Sequence, residues 1–194
     1  MAETRADLAV IAFASVQDWE AWLEEHHQDA QGIWLKIAKK EGGAASVSYA
    51  EALECALCYG WIDGQKAAFD DRYWLQKFTP RSRKSKWSKI NCEKALALIA
   101  AGRMQPAGLA QVEVAQGDGR WEQAYESQSK ISVPQDLQLA LDNHPAARDF
   151  FEQLDSVNRY AILYRIQTAV KPETRTKRIQ KYVTMLSKHE KIYP

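Results

Sequence analysis

The stretch "SYAEALECALCYGWIDGQ", residues 48–65, carries the clearest structural signals in the chain. Ser48 followed by Glu51 forms a capping box, which marks a helix N-terminus, and the apolar residues after it recur at helical spacing. Gly60 is typical of a helix end. The Asp-Gly pair of WIDG tolerates the positive φ that a tight turn requires. The stretch therefore predicts a helix that ends at Gly60 and a turn immediately after it.

Strand signals lie on both sides of this helix. Upstream, "LAVIAFASV" and "GIWLKIAKK" predict two strands, and between them Ser15 with Asp18 caps a helix over "VQDWEAWLEEHH". Downstream, "KAAFDDRYWLQKF" predicts two short strands with Asp70-Asp71 at the bend, and Pro80 ends the second strand.

Helix signals dominate the rest of the chain. Ser85 is predicted to cap a long helix that Gly102 closes, and Pro106 begins another helix. Helix starts follow at Pro134, Pro145, Ser156 and Pro172. The order of elements predicts an α+β fold with a small antiparallel or mixed sheet and packed helices, because too few helices lie between strands for a parallel winding. We expect residues 1–127 to form this α+β domain and residues 128–194 a helical C-terminal subdomain.

Composition indicates a folded protein in a reducing compartment. The 194 residues are 46% hydrophobic and 26% charged, with seven Trp, which is typical of globular chains. The odd number of Cys, three, argues against a disulfide framework. "LAVIAFASV" imitates a signal peptide, but the residues before it are net acidic where a signal needs positive charge. With no apolar run long enough to cross a bilayer, the prediction is a cytoplasmic protein.

The segment 72–91 has an unusual charge pattern. It contains seven Lys or Arg and no acidic residue, and its basic residues accompany Trp74, Phe78 and Trp87. Arginines beside a helix N-terminus at Ser85 would form an anion site, where the aromatic rings could stack on a base or sugar. The alternative is that the rings belong to the core and the basic residues form a solvated rim.

Asp63, in the WIDG motif, is the natural acid to place beside this segment. Its carboxylate could act as a general base or bind an amine or hydroxyl, and it could equally be a turn former. The hypothetical ligand-binding set drawn from these signals is Trp61, Asp63, Arg81, Ser85, Trp87, Ser88 and Asn91. Asp63 is the candidate catalytic residue.

Other motifs favour structural explanations. Cys55 and Cys58 lie near the end of their predicted helix, where the dipole opposes a thiolate, so we interpret them as core residues. His26 and His27 are interpreted as capping or solvated residues, and the basic run in the last helix as solvated charge. No spacing predicts a metal or a cofactor site.

Several sequence segments resemble one bacterial family. "GIWLKIAKK", "SYAEALECALCYGWIDGQ", "FTPRSRKSKWSKIN", "AAGRMQPAG" and "KPETRTKRIQKYVTML" are similar to the YdeI/OmpD-associated family, also labelled bacteriocin-protection proteins, over nearly the whole chain. The resemblance implies protection against bacteriocins or cationic antimicrobial peptides, and by name alone an association with a porin. The matching positions are residues 61–64, 79–81, Ser85, Trp87, Ser88 and Asn91.

Three functions are compatible with these observations. The leading hypothesis is a cytoplasmic protein of stress or antimicrobial resistance that binds a small anionic or nucleotide-like ligand. The second is an enzyme in which Asp63 is the base and Arg81 holds a phosphate or carboxylate. The third, binding of nucleic acid by both basic runs, is less favoured. The sequence does not define an oligomeric state.

Overall fold

A computed structural model describes residues 3–5, 8–40 and 43–194, and these contain five strands and eight helices. The strands are β1 (Glu3–Arg5), β2 (Leu8–Ala12), β3 (Ile33–Ala38), β4 (Trp61–Ala68) and β5 (Tyr73–Pro80). The helices are α1 (Val16–His26), α2 (Tyr49–Cys58), α3 (Lys89–Ala100), α4 (Pro106–Gly117), α5 (Gln135–Asp142), α6 (Pro145–Glu152), α7 (Ser156–Gln167) and α8 (Pro172–Ser187).

The strands form one mixed sheet in the order β1-β2-β3-β5-β4. The β2–β3 pair is parallel, with α1 as the connection, and the other neighbours are antiparallel. This arrangement confirms the predicted α+β class. The short strand β1 was not predicted, because three residues give no periodicity to detect.

The chain divides into two compact units. Unit 1 comprises Met1–Trp87 and Asn91–Glu122, and unit 2 comprises Ser88–Ile90 and Gln123–Pro194. Unit 2 is built from α5 to α8 around its own apolar core, which includes Leu137, Leu141, Ile162, Leu163, Ile166 and Leu186. The proposal of a separate C-terminal subdomain that begins near residue 128 stays a prediction.

In unit 1, helices α1 and α2 cover one face of the sheet. Trp19 of α1 is fully buried, its ring centroid lies 5.7 Å from that of Phe78, and its indole N–H donates to the Ala52 carbonyl in α2 at 3.0 Å. Because side chains alternate along a strand, the opposite face carries a second, smaller cluster of Val10, Trp34 and Leu75. Asp63 and Lys66 of β4, which lie opposite Phe78 and Gln76, are on the helix-covered face as well.

Two of the predicted helix caps, at Ser15 and Ser48, are present. The Ser15 and Asp18 side chains form a reciprocal capping box on α1, and Ser48 with Glu51 forms another on α2. The hydrogen bonds from the Ser48 hydroxyl and amide hold the pKa of the Glu51 carboxyl below its ordinary value. Gly60 follows α2 with φ +75°, a left-handed conformation that glycine adopts without steric cost.

The predicted turn at WIDG is wrong, because these residues begin strand β4. Asp63 pairs with Phe78 and Lys66 pairs with Gln76, so one additional residue bulges from β4 between them. Gly64 lies in this bulge without a positive φ. The Asp-Gly signal was overridden because β5 supplies a pairing partner that local sequence does not reveal. The chain reverses later, where the Asp70 carboxylate accepts the amide hydrogens of Arg72 and Tyr73, as predicted.

We expect Gly64→Ala to change the free energy of unfolding by less than about 0.5 kcal/mol. A Cβ at Gly64 would lie 3.6 Å from the Lys77 Cβ, an ordinary van der Waals contact. All seven Trp lie in unit 1, so urea unfolding followed by Trp fluorescence measures this unit selectively. If the substitution lowers the free energy of unfolding by more than about 1 kcal/mol, Gly64 instead has the left-handed conformation that a tight turn requires.

The predicted cap at Ser85 is also wrong, because α3 begins at Lys89. The Ser85 hydroxyl accepts the Ser82 amide at 3.0 Å, and the Ser85 amide donates to the Ser82 carbonyl at 2.9 Å. Ser85 therefore closes a turn instead of a helix end. The helix starts only at Lys89, whose amide donates to the Tyr125 carbonyl at 2.9 Å.

The later helix starts agree with the sequence. Pro106, Pro145 and Pro172 are the first residues of α4, α6 and α8. Pro134 precedes α5 in an extended conformation, and Ser156 begins α7 behind an Asp155 cap. Among residues 3–5, 8–40 and 43–194, no helix combines the length and apolar character needed to cross a membrane.

Candidate functional site

Trp61 is a core residue. Its side chain is only 1% exposed, and its indole N–H donates to the His27 carbonyl at 3.1 Å. The ring stands edge-on to Trp22 and Trp19, with centroid distances of 5.8 and 6.4 Å. Trp61 therefore links the start of β4 to helix α1 and has little surface to offer a ligand.

Asp63 lies on the same face of β4 and is half-buried. Its carboxylate accepts a 2.8 Å hydrogen bond from the hydroxyl of Tyr49, the first residue of α2. The capping box at Ser48 places Tyr49 at the helix start, where its side chain reaches the strand. The hydrogen bond holds the carboxylate in one orientation. Sequence reasoning missed Tyr49, because 14 residues separate it from Asp63 and no local pattern connects them.

Arg81 is buried against Trp87. Its guanidinium carbon lies 3.5 Å from the centroid of the Trp87 ring, and its Nη1 donates to the Lys86 carbonyl at 3.3 Å. The exposed fraction is 6% for Arg81 and 2% for Trp87. The Arg81 amide also donates to the carbonyl of Gly60. This stacked pair fixes both ends of the segment 81–87, which we call the basic loop.

Residues 118–121, just after α4, pack against the basic loop. The Arg120 guanidinium donates to the Ser85 carbonyl at 2.8 Å, and the Trp121 ring packs against Trp87 at a centroid distance of 4.9 Å. Arg120 is in turn held by Asp118, whose carboxyl pKa is lowered chiefly by the hydrogen bond from that arginine. Neither Arg120 nor Trp121 was predicted to belong to the site, because the contact spans 35 residues.

The exposed cations of the basic loop are Arg83, Lys84 and Lys86. They project from a turn whose ends are fixed, in a segment that contains no acidic residue between positions 72 and 91. The sequence identified this cluster, but the arginine chosen for the ligand-binding set was the buried Arg81. The flanking serines of "RSRKSK" could have indicated which part is exposed, since small polar residues are typical of turns.

The remaining predicted residues have separate environments. Ser85 is half-buried in the turn of the basic loop, and Asn91 is buried on α3 in unit 1, with 6% exposure. Ser88 belongs to unit 2, where it forms an isolated β-bridge with Tyr125. Of the seven residues in the predicted set, four are therefore buried and form part of the framework of unit 1, namely Trp61, Arg81, Trp87 and Asn91.

The cysteines are buried thiols. Burial raises the pKa of Cys55 to about 12 and that of Cys58 to about 11, so both stay protonated at neutral pH. His27 caps the end of α1 and its Nδ1 lies 2.8 Å from the Leu23 carbonyl oxygen. Within the described ranges of the chain, no cluster of three or more His, Cys, Asp or Glu side chains could hold a metal ion.

The second basic run lies on α8 and is partly used inside unit 2. Arg175 donates from Nη2 to the Asp136 carboxylate at 2.8 Å, and Arg178 donates to the carbonyl of Arg165. Lys177 and Lys181 are exposed. The two arginines therefore connect helices of unit 2, and only the lysines fit the predicted solvated charge.

Comparison with known families separates two parts of the chain. Residues 11–111 match a family described as a domain of unknown function (DUF8412), which covers more than half of the 194 residues. The chain belongs to this family. Residues 130–189 match the family described as Bacteriocin-protection, YdeI or OmpD-Associated. Searches of curated proteins and of solved structures returned no significant match.

These matches limit the predicted resemblance to its C-terminal part. The YdeI/OmpD-associated family is confirmed for residues 130–189, which include "KPETRTKRIQKYVTML", but not for nearly the whole chain. The WIDG motif and the basic loop lie in the part that matches DUF8412. The residues proposed for ligand binding therefore belong to a segment whose family description names no activity.

Proposed function

We propose that the protein binds a small phosphate-bearing anion through Arg83, Lys84 and Lys86 of the basic loop. The observation that supports this proposal is the exposure of three cations within four residues, on a turn fixed at Arg81, Ser85 and Trp87. Guanidinium and ammonium groups are the usual protein partners of phosphate oxygens. A loop that is ordered before binding loses less conformational entropy when the ligand arrives.

The turn at Ser85 changes which groups would bind the anion. The turn at Ser82–Ser85 replaces the expected helix start, so the anion is held by side-chain cations instead of helix amides. Arg81 and Trp87 keep the loop in shape and do not face the ligand. Trp87 is too buried to stack on a base, whereas Trp121 is half-buried beside it.

The description of the family that matches residues 130–189 suggests the biological role of this binding. We extend to this chain the role that the description names, protection against bacteriocins, and place it in the cytoplasm, as the composition predicts. Catalysis by Asp63 remains an alternative hypothesis, for which the favourable observation is the oriented carboxylate beside Tyr49.

Calorimetric titration with ATP and with pyrophosphate at low salt tests the proposal. We expect the triple variant Arg83→Ala, Lys84→Ala, Lys86→Ala to weaken binding at least about tenfold, because each lost cation removes a charge-assisted contact. The control variant is Lys177→Ala, Lys181→Ala, Lys188→Ala, which removes the same charge from exposed positions on or just after α8. It should bind as the wild type does.

The outcomes separate the hypotheses. Equal weakening by both triple variants would show a general effect of charge and contradict a site in the basic loop. No heat of binding from either probe with the wild type would also contradict it. If a single-stranded oligonucleotide binds with a steep salt dependence that both triple variants reduce, the protein is a nucleic-acid binder instead. Tighter binding of ATP than of inorganic triphosphate, which has the same number of phosphates, would assign a role to the nucleoside.

A further inference from the structure

A second cluster of interacting side chains lies at the start of α2 and on the neighbouring strands. The Lys66 Nζ atom is 4.9 Å from the ring centroid of Trp74 and 5.4 Å from that of Tyr49. The two rings are 6.1 Å apart, and the Tyr49 hydroxyl donates to the Asp63 carboxylate at 2.8 Å. We call these four residues the ammonium corner, because an ammonium group already lies there against two aromatic rings.

The bulge in β4 creates this cluster. In a regular strand Asp63 and Lys66 would point to opposite faces of the sheet, since side chains alternate. The additional residue between them brings Lys66 opposite Gln76, and Asp63 remains opposite Phe78, so both side chains reach one face. Gln76 is fully buried and its amide nitrogen donates to the carbonyls of Gly64 and Gln65, which holds the bulge in place.

The chemistry of the corner suits an organic cation. The faces of Trp and Tyr rings attract cations, and the nearby carboxylate adds negative potential and polarises the phenol that donates to it. Both rings and Asp63 are half-buried, and Lys66 is exposed at the edge strand of the sheet. A lysine head at such a surface is strongly hydrated and flexible, so water can replace its ring contacts at low cost.

We propose that the ammonium corner binds an alkylammonium group of a small molecule, which displaces the Lys66 ammonium from the two rings. N-methylated and quaternary ammonium groups fit best, because they are the cations for which aromatic side chains serve as recognition surfaces. Lys66 is a tethered competitor, because its ammonium nitrogen already lies 4.9 and 5.4 Å from the two ring centroids. Removal of its charge therefore exposes the rings to an added cation.

Tetramethylammonium chloride is the probe, titrated against sodium chloride at the same ionic strength. Binding is followed by the NMR signals of the tryptophan Nε1–H groups, with the Trp74 signal assigned through Trp74→Phe. We expect Lys66→Gln to bind the probe at least about fivefold more tightly than the wild type, because the internal competitor is lost. In the Lys66→Gln background, the additional substitution Asp63→Asn should weaken the binding of tetramethylammonium again. It removes the negative charge but retains an acceptor for the Tyr49 hydroxyl.

The matched control is Lys77→Gln. Lys77 Nζ lies 5.9 Å from the Trp34 ring, on the opposite face of the sheet, so this variant removes the same charge beside a different tryptophan. It should leave the affinity for tetramethylammonium unchanged. Tighter binding in Lys77→Gln equal to that in Lys66→Gln would show a general effect of net charge and overturn the proposal. The same conclusion follows if Lys66→Gln binds no better than the wild type, or if sodium chloride shifts the Trp74 signal equally.

Discussion

Trp61→Ala is expected to lower the free energy of unfolding of unit 1 by about 3–5 kcal/mol, the cost typical of deleting a buried Trp side chain. The substitution removes a ring that contacts Trp19 and Trp22, and it leaves the His27 carbonyl without its 3.1 Å hydrogen bond. Six tryptophans remain in unit 1 to report unfolding in urea by fluorescence.

Trp61→Phe separates the structural role of Trp61 from a role in ligand binding. Phenylalanine retains most of the apolar contact and loses the indole N–H, so we expect a smaller loss of about 1–2 kcal/mol. The folded Trp61→Phe variant should bind ATP within about twofold of the wild type. Normal stability of Trp61→Ala combined with lost ATP binding would contradict the assignment of Trp61 to the core.

Gly108→Ala should also destabilise unit 1 strongly, by about 2–3 kcal/mol, because extra volume in a close contact forces the backbone to move. Gly108 lies in α4, where an added Cβ would be 2.7 Å from the Leu57 carbonyl oxygen and closer still to that of Cys58. These carbonyls belong to the end of α2, so the missing side chain allows the two helices to approach.

Gly117→Ala is the matched control in the same helix. No heavy atom outside its immediate neighbourhood lies within 4 Å of a Cβ at this position, so alanine should be neutral or slightly stabilising. Urea unfolding followed by Trp fluorescence compares the two variants directly. If Gly108→Ala proves as stable as Gly117→Ala, α2 and α4 are farther apart than the structure shows.

The helices of this protein could be predicted because their signals are local. Both capping boxes join residues three positions apart, and the proline starts of α4, α6 and α8 depend on a single residue. Such contacts form whenever the backbone becomes helical, whatever the rest of the chain does. The same local reasoning was wrong at Ser85, where the Ser85 hydroxyl accepts the Ser82 amide in a turn and the helix begins only at Lys89.

The candidate site could be predicted only in outline. Charge counting located the basic segment 72–91, since net charge is a property of composition. Which of its cations is buried depends on tertiary packing, because Arg81 stacks on Trp87, and Trp87 packs against the distant Trp121. The ammonium corner could not be predicted, because without the bulge Lys66 would point away from Asp63.

By itself, therefore, the sequence determined the α+β class, the starts of most helices and the position of the basic loop. These features arise from contacts within about one helical turn or from composition. The tertiary structure alone decided that WIDG is a strand, that Trp61 and Arg81 are buried, and which side chains share a face of β4. The reason is that strand register and burial depend on partners far along the chain, and a shift of one residue reverses the face to which every side chain points.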